Sequence, residues 1–329
     1  MKTIRWGMIG CGDVTEVKSG PGLYKAANST LLGVTNRTLA KAQSYAERHH
    51  VPRIYPDVAA LLADPEIDAV YIATPPADHK ALTLQAAAAG KHVYVEKPMA
   101  LSEAECEQMI AACQAAGVRL FVAYYRRAMP RFLQVKQWLE QGAIGAICSV
   151  NVSQRQRPAP EELSRDTLPW RLRAEVAGGG KFLDVGVHQL DLLDFLFGPI
   201  VDVHGEAANR AGHYEVEDTI SACWRHASGV TGSGNWCYVS HDNADRVEIT
   251  GTQGRIEFEF FAESPLRLIT ADGMQEIALP NPPHVQQPLI QTIVDDLNGQ
   301  GACPASAEAA LRTTAAVDRI LASFRRRAG

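Results

Sequence analysis

Nowhere in the 329 residues does an apolar run approach the roughly 20 residues that a membrane-crossing helix needs. The N-terminal apolar stretch stops at Gly10-Cys11-Gly12-Asp13 with no small-residue cleavage site after it, so it reads as a first strand and not as an export signal. Paired cysteines are also missing. The seven present (Cys11, Cys106, Cys113, Cys148, Cys223, Cys237 and Cys303) are scattered and never spaced Cys-x-x-Cys. That argues against both a disulfide framework and a zinc site, and makes the cytoplasm the expected compartment. Positive charge is not in excess: the formal net charge is −5 and the pI near 6.1, which speaks against nucleic acid as a partner. No internal repeat or low-complexity tract breaks the chain. What remains is an ordinary globular composition, 46% hydrophobic and 21% charged, in a chain long enough for two domains with real cores.

Over residues 1–123 strand and helix patterns alternate. Apolar segments at 3–9, 30–35, 69–73, 92–95 and 119–124 read as strands, with a short edge strand at 51–55. Between them, 39–49, 57–63, 77–89 and 102–116 read as helices; Ser102 with Glu105 forms a capping box and Gly90 stands at a helix end. This alternation predicts βαβ units and a doubly wound parallel sheet. After residue 124 the rhythm changes. A helix at 130–141 and a strand at 146–154 lead into a loop rich in Arg, Pro and Glu, then a helix after Gly178. Residues 201–279 read as successive β segments of a mostly antiparallel sheet, and helices at 285–298 and 305–326 follow. The fold class is therefore α/β, with a dinucleotide-type domain at 1–123 and an α/β domain with an open antiparallel sheet at 124–329.

Three motifs carry chemistry. Gly10-Cys11-Gly12-Asp13-Val14-Thr15 follows the first strand and opens a helix, as a pyrophosphate-binding turn does, with Thr15 where Gly or Ala is usual. Cys11 reads either as a thiol activated at a helix N-terminus or as a small residue filling the turn. The second strand ends in Thr35-Asn36-Arg37-Thr38, without the carboxylate that NAD-selective folds place against the ribose. Asn36 does not repel a 2′-phosphate and Arg37 can pair with it, so NADP(H) is favoured over NAD(H). Glu96-Lys97-Pro98 follows the fourth principal strand, at the sheet edge where such folds bind ligands. An ammonium there can stabilise the alkoxide character that develops in hydride transfer. A cis Lys97–Pro98 bond is plausible. In Gly178-Gly179-Gly180-Lys181-Phe182-Leu183-Asp184-Val185-Gly186-Val187-His188, Asp184 and His188 stand four apart on one helical face, the pairing that acid–base chemistry uses. The glycines either let backbone approach a ligand or only shape the loop. A metal reading of Asp184 and His188 lacks further ligands at a suitable spacing.

With these motifs on the page, the chain resembles the Gfo/Idh/MocA oxidoreductases, the family of glucose–fructose oxidoreductase and inositol dehydrogenase. The matching pieces are Gly10-Cys11-Gly12, Ala73-Thr74-Pro75-Pro76 with His79, Gly90 through Pro98, and Gly178 through Asp191. The resemblance implies that Lys97 is the active-site lysine, His188 the acid–base histidine and Asp184 its carboxylate. It adds Thr74, Pro75, His79 and Glu96 to a cofactor site that already holds Gly10, Gly12, Asp13, Val14, Asn36, Arg37 and Lys97. Candidate substrate contacts are Tyr125 and Arg126 after the last parallel strand, and Trp170 and Arg171 before the glycines. Asp191 is a further candidate at the pocket edge.

The expected activity is an NAD(P)-dependent dehydrogenase or reductase acting on a sugar, polyol or related hydroxy/keto compound. Rival readings are a redox-cycling glycosidase and a non-catalytic sensor. A homodimer or homotetramer is expected. Trp224, Trp236, Tyr238, Phe258, Phe260 and Phe261 read either as its interface or as core under the sheet.

Overall fold

The computed structural model describes residues 1–328 and divides into two compact units. The first comprises residues 1–129 and 282–311, the second residues 130–281 and 312–329. A single boundary near 124 makes one cut; the chain instead returns to its first unit for thirty residues.

In the first unit the element order is β1 (Ile4–Ile9), α1 (Asp13–Val17), α2 (Gly20–Lys25), β2 (Ser29–Thr35), α3 (Leu39–His49), β3 (Arg53–Ile54), α4 (Val58–Ala63), β4 (Ala69–Ile72), α5 (Pro76–Ala88), β5 (His92–Val95), α6 (Glu103–Ala115) and β6 (Leu120–Val122). All six strands run parallel in the order β3-β2-β1-β4-β5-β6, the doubly wound arrangement with its switch point between β1 and β4. β4 is buried along its whole length, as a strand covered on both faces must be. Trp6, Tyr71 and Tyr94 form an aromatic centre, with the two tyrosine rings stacked at 4.9 Å. The Ser102 hydroxyl accepts the Glu105 amide while Glu105 accepts the Leu101 amide, so the cap at α6 is reciprocal.

The second unit begins with α7 (Pro130–Glu140) and β7 (Ile147–Arg155), followed by α8 (Ala174–Ala177), a π-helical turn (Phe182–Gly186) and α9 (Val187–Phe197). Seven strands follow: β8 (Ile200–Ala208), β9 (Thr219–His226), β10 (Thr231–Cys237), β11 (Ala244–Gly251), β12 (Gly254–Phe258), β13 (Leu266–Thr270) and β14 (Gly273–Ile277). They join β7 in the order β14-β13-β12-β11-β7-β10-β9-β8, antiparallel except where β7 meets β10. Burial alternates residue by residue along β9 and β10, so one face is core and the other polar. Trp224, Trp236, Tyr238, Phe258 and Phe260 are core within this chain. Phe132 of α7 packs on Phe258 and Phe260, and Phe182 meets Trp236 edge-on. The chain then supplies α10 (Gln287–Leu297) to the first unit and α11 (Ala307–Ala328), which from Arg312 belongs to the second. Among the described residues no helix is long and apolar enough to cross a membrane.

Candidate active site

Three loops leave the carboxyl ends of the adjacent strands β1, β4 and β5, and each carries a motif. After β1, Gly10 sits at φ +100°, and a Cβ there would meet the Ala73 carbonyl oxygen at 2.7 Å; only glycine lets β1 turn this close to β4. A Cβ on Gly12 would meet nothing within 4 Å, so the turn faces open space. Thr15 fills the third position without harm, its hydroxyl donating to the Gly12 carbonyl at 2.7 Å. Burial pushes the Cys11 thiol up to about 12, so it is a filler and no nucleophile.

Asn36 is committed to this same turn. Its Oδ1 accepts the Cys11 amide at 3.1 Å and its Nδ2 donates to the Thr38 carbonyl at 3.1 Å. The side chain shapes the loop, and Arg37 beside it is exposed. After β4, the Thr74 hydroxyl is buried with no hydrogen-bond partner, a donor aimed at something the protein does not supply. His79 is fully enclosed. Its Nε2 faces the Thr74 carbonyl at 2.8 Å and its Nδ1 the Pro98 carbonyl at 3.0 Å. Burial holds the imidazole below its ordinary value, and the enclosed ring packs between the loops after β4 and β5.

After β5, Glu96 and Pro98 are buried, Lys97 is half-buried, and the Lys97–Pro98 bond is cis. The 3₁₀ turn Tyr125–Ala128 ends the parallel series with the Arg126 guanidinium over the Tyr125 ring, 4.8 Å from its centroid.

In the second unit the regular helix expected after Gly178 is interrupted. Asp184 lies in the π turn and His188 in the first turn of α9, and such single π turns recur at functional sites. His188 is buried at 6% exposure while Asp184 is half-buried. Arg171 reaches Asp184 at 3.3 Å and lies over the Trp170 ring at 5.2 Å, so the loop 155–177 delivers both residues to the neighbourhood of the acidic group. Asp191 and Asp194 instead face inward. Asp194 takes both Arg312 nitrogens at 2.8 Å and Asp191 takes the Thr313 hydroxyl at 3.5 Å, tying α9 to α11. Both carboxylates are buried, and these bonds hold the helix.

The glycine run has a structural purpose that its sequence did not announce. Gly178 caps α8 at φ +81°, and Gly179 and Gly180 leave room for Glu217, whose carboxylate accepts the Gly180 amide at 2.8 Å. Burial raises Glu217 to about 7. Next to it, Lys181 and Glu162 form an enclosed ion pair at 2.6 Å. Among the described residues no group of three or more metal-ligating side chains stands together.

A parallel sheet with its glycine turn at the switch point is the arrangement of dinucleotide-binding folds. Residues 4–124 match the oxidoreductase family model with the NAD-binding Rossmann fold, and residues 132–257 match the GFO/IDH/MocA C-terminal domain. The chain belongs to this Gfo/Idh/MocA family of NAD(P)-dependent oxidoreductases. It is 35% identical over 318 residues to Oxidoreductase P35 of Formosa agariphila, covering 96% of this chain and 97% of that one. It is 28% identical over 304 residues to trans-1,2-dihydrobenzene-1,2-diol dehydrogenase of Sus scrofa, covering 91% and 85%. In fold it is similar to levoglucosan dehydrogenase in complex with NADH and levoglucosan, with a TM-score of 0.86, 24% identity and coverage of 98% and 97%.

Proposed function

We propose that this chain is an NADP(H)-preferring dehydrogenase or reductase acting on a secondary hydroxyl, or the matching ketone, of a sugar or polyol. The observation that carries the reading is the convergence of Gly12, Thr74 and Lys97 from three neighbouring strand ends. A dinucleotide fits these residues: the turn at Gly12 faces open space, and the buried Thr74 hydroxyl lacks a partner. Gly10, Gly12, Asp13 and Val14 would hold the pyrophosphate, Arg37 the 2′-phosphate, and Thr74, Pro75 and Glu96 the loops beside it. When bound, the nicotinamide supplies or accepts the hydride.

The remaining chemistry belongs to the protein. The Lys97 ammonium hydrogen-bonds the reacting oxygen and stabilises negative charge as it develops there. His188 takes the hydroxyl proton at a ring nitrogen on oxidation and returns it on reduction. Asp184 orients that exchange and itself answers to Arg171. Trp170 offers a flat apolar face to C–H groups of a sugar ring, and Tyr125 and Arg126 are further candidate substrate contacts. The dehydrogenase name of the pig relative and the levoglucosan in the structural neighbour support a hydroxyl-bearing substrate of this kind.

The test follows nicotinamide absorbance with each cofactor against a panel of sugars, polyols and ketones. Turnover with at least about tenfold preference for the phosphorylated cofactor is expected, and the preference disappears in Arg37→Ala. Glycoside cleavage without net change in cofactor redox state, or cofactor binding with no turnover, overturns the reading.

A further inference from the structure

One buried carboxylate in the first unit collects donors from distant parts of the chain. Glu96 Oε1 accepts the Tyr71 hydroxyl at 2.6 Å and Gln286 Nε2 at 2.7 Å, and Oε2 accepts the Lys97 amide at 3.2 Å. Gln286 lies 190 residues away in sequence and is 1% exposed. Its Oε1 accepts the Tyr94 hydroxyl at 2.6 Å. Its main-chain N–H donates to the carbonyl of Lys18, the residue that caps α1. The Tyr71 hydroxyl also meets the Ser19 hydroxyl at 2.9 Å, so the same neighbourhood reaches the chain just after α1 twice.

The chemistry of position 286 is restrictive. It accepts from Tyr94 and donates to Glu96 at once, which a carboxamide does at every pH and a carboxyl only while it keeps its proton. Burial lifts both phenols well above their ordinary range, so each remains a donor. The other titratable groups around this network are His79, which faces Glu96, and Cys303 and Tyr125, which face Tyr94.

We propose that Gln286 is a positioning residue of the cofactor site. It holds Glu96, and through Glu96 the main chain of Lys97, in fixed relation to the end of the helix that follows the glycine turn. This inference rests on the cofactor reading above and extends it to a segment that no motif marks.

The test compares wild type, Gln286→Glu and Gln286→Leu by calorimetric titration with NADP⁺ and NAD⁺ at about pH 5.5 and about pH 8.5, alongside kcat and KM. A carboxyl at 286 that keeps its proton still accepts from Tyr94 and donates to Glu96; once ionised, it faces a like charge. Gln286→Glu is therefore expected to bind cofactor about tenfold more weakly than wild type at the higher pH and within about threefold at the lower. Gln286→Leu loses about tenfold at both. Wild-type affinity in both variants at both pH values overturns the inference, as does a Gln286→Glu loss that ignores pH. If Gln286→Leu does not fold, the two pH values of Gln286→Glu decide alone. Wild-type protein that binds no nicotinamide nucleotide overturns the cofactor reading itself, and the inference with it.

Discussion

Glu96 in the first unit and Glu162 in the second are both buried, at 7% and 5% exposure, yet their partners differ in kind. Glu96 is shared among a phenol, a carboxamide and a main-chain amide, all neutral. Glu162 takes the Ala159 amide at 3.0 Å and leans on one ammonium, that of Lys181, at 2.6 Å. The contrast extends to the surroundings. The loops at the carboxyl edge of the parallel sheet are tied by carbonyls, amides and the enclosed His79 ring. The loop and helix that carry Trp170, Arg171, Asp184 and His188 are tied by Arg171–Asp184, Lys181–Glu162, Arg312–Asp194 and the buried Glu217. Several neutral bonds share a load, so one loss leaves the rest in place. An enclosed ion pair concentrates it, and removing one partner strands a charge. The ties at the carboxyl edge of the parallel sheet are thus mostly uncharged donors, and those around Asp184 and His188 are mostly ions.

The largest effect should come from breaking the enclosed pair. Lys181→Met is expected to destabilise the protein by about 3–5 kcal/mol in urea denaturation, whereas Tyr71→Phe, which removes one of three donors to Glu96, loses about 1–3 kcal/mol. Replacing both partners (Lys181→Met with Glu162→Leu) should recover most of the loss, because no buried charge remains. Equal losses in Lys181→Met and Tyr71→Phe would erase the contrast.

A smaller effect sharpens it. Glu217 is held near 7 by burial, against an ordinary value of 4.5. The folded chain therefore binds this proton more tightly than the unfolded one. Its contribution is complete below about pH 4.5 and is lost as pH rises through about 7. Glu217→Gln keeps an acceptor for the Gly180 amide without the titration. It should match wild type near about pH 4 and exceed it by up to about 3 kcal/mol at about pH 8. Thermal melts across that range check the slope; an unchanged slope in the variant assigns the pH dependence elsewhere.

Much of the first unit was legible because its strands are continuously apolar and its motifs are local. The α3 boundaries, the cap at Ser102 and the six parallel strands follow from short-range pattern, whereas their order in the sheet does not. α2 was missed because Gly20-Pro21-Gly22 reads as a breaker, although Pro21 sits in the first turn, where proline is tolerated. The π turn was invisible because a spacing of four suits π and α geometry alike. The bonds of the Asn36 amide to Cys11 and Thr38 were not legible, because the sequence shows no partner for it in the glycine turn. The bond between Asp191 and Thr313 of α11 had no signal in the sequence, because 122 residues separate the two. Gln286 and Glu217 had no signal at all, since each acts on a partner that no periodicity connects to it.

The central proposal is that Lys97 steadies the reacting oxygen and His188 moves its proton in the hydride transfer. The most direct measurement is kcat with a substrate from the active panel, together with calorimetric cofactor affinity, for wild type, Lys97→Met and His188→Ala. Both variants are expected to lose about 10²–10⁴ in kcat, and His188→Ala is expected to bind cofactor within about threefold of wild type. A His188→Ala protein that turns over at the wild-type rate contradicts the account.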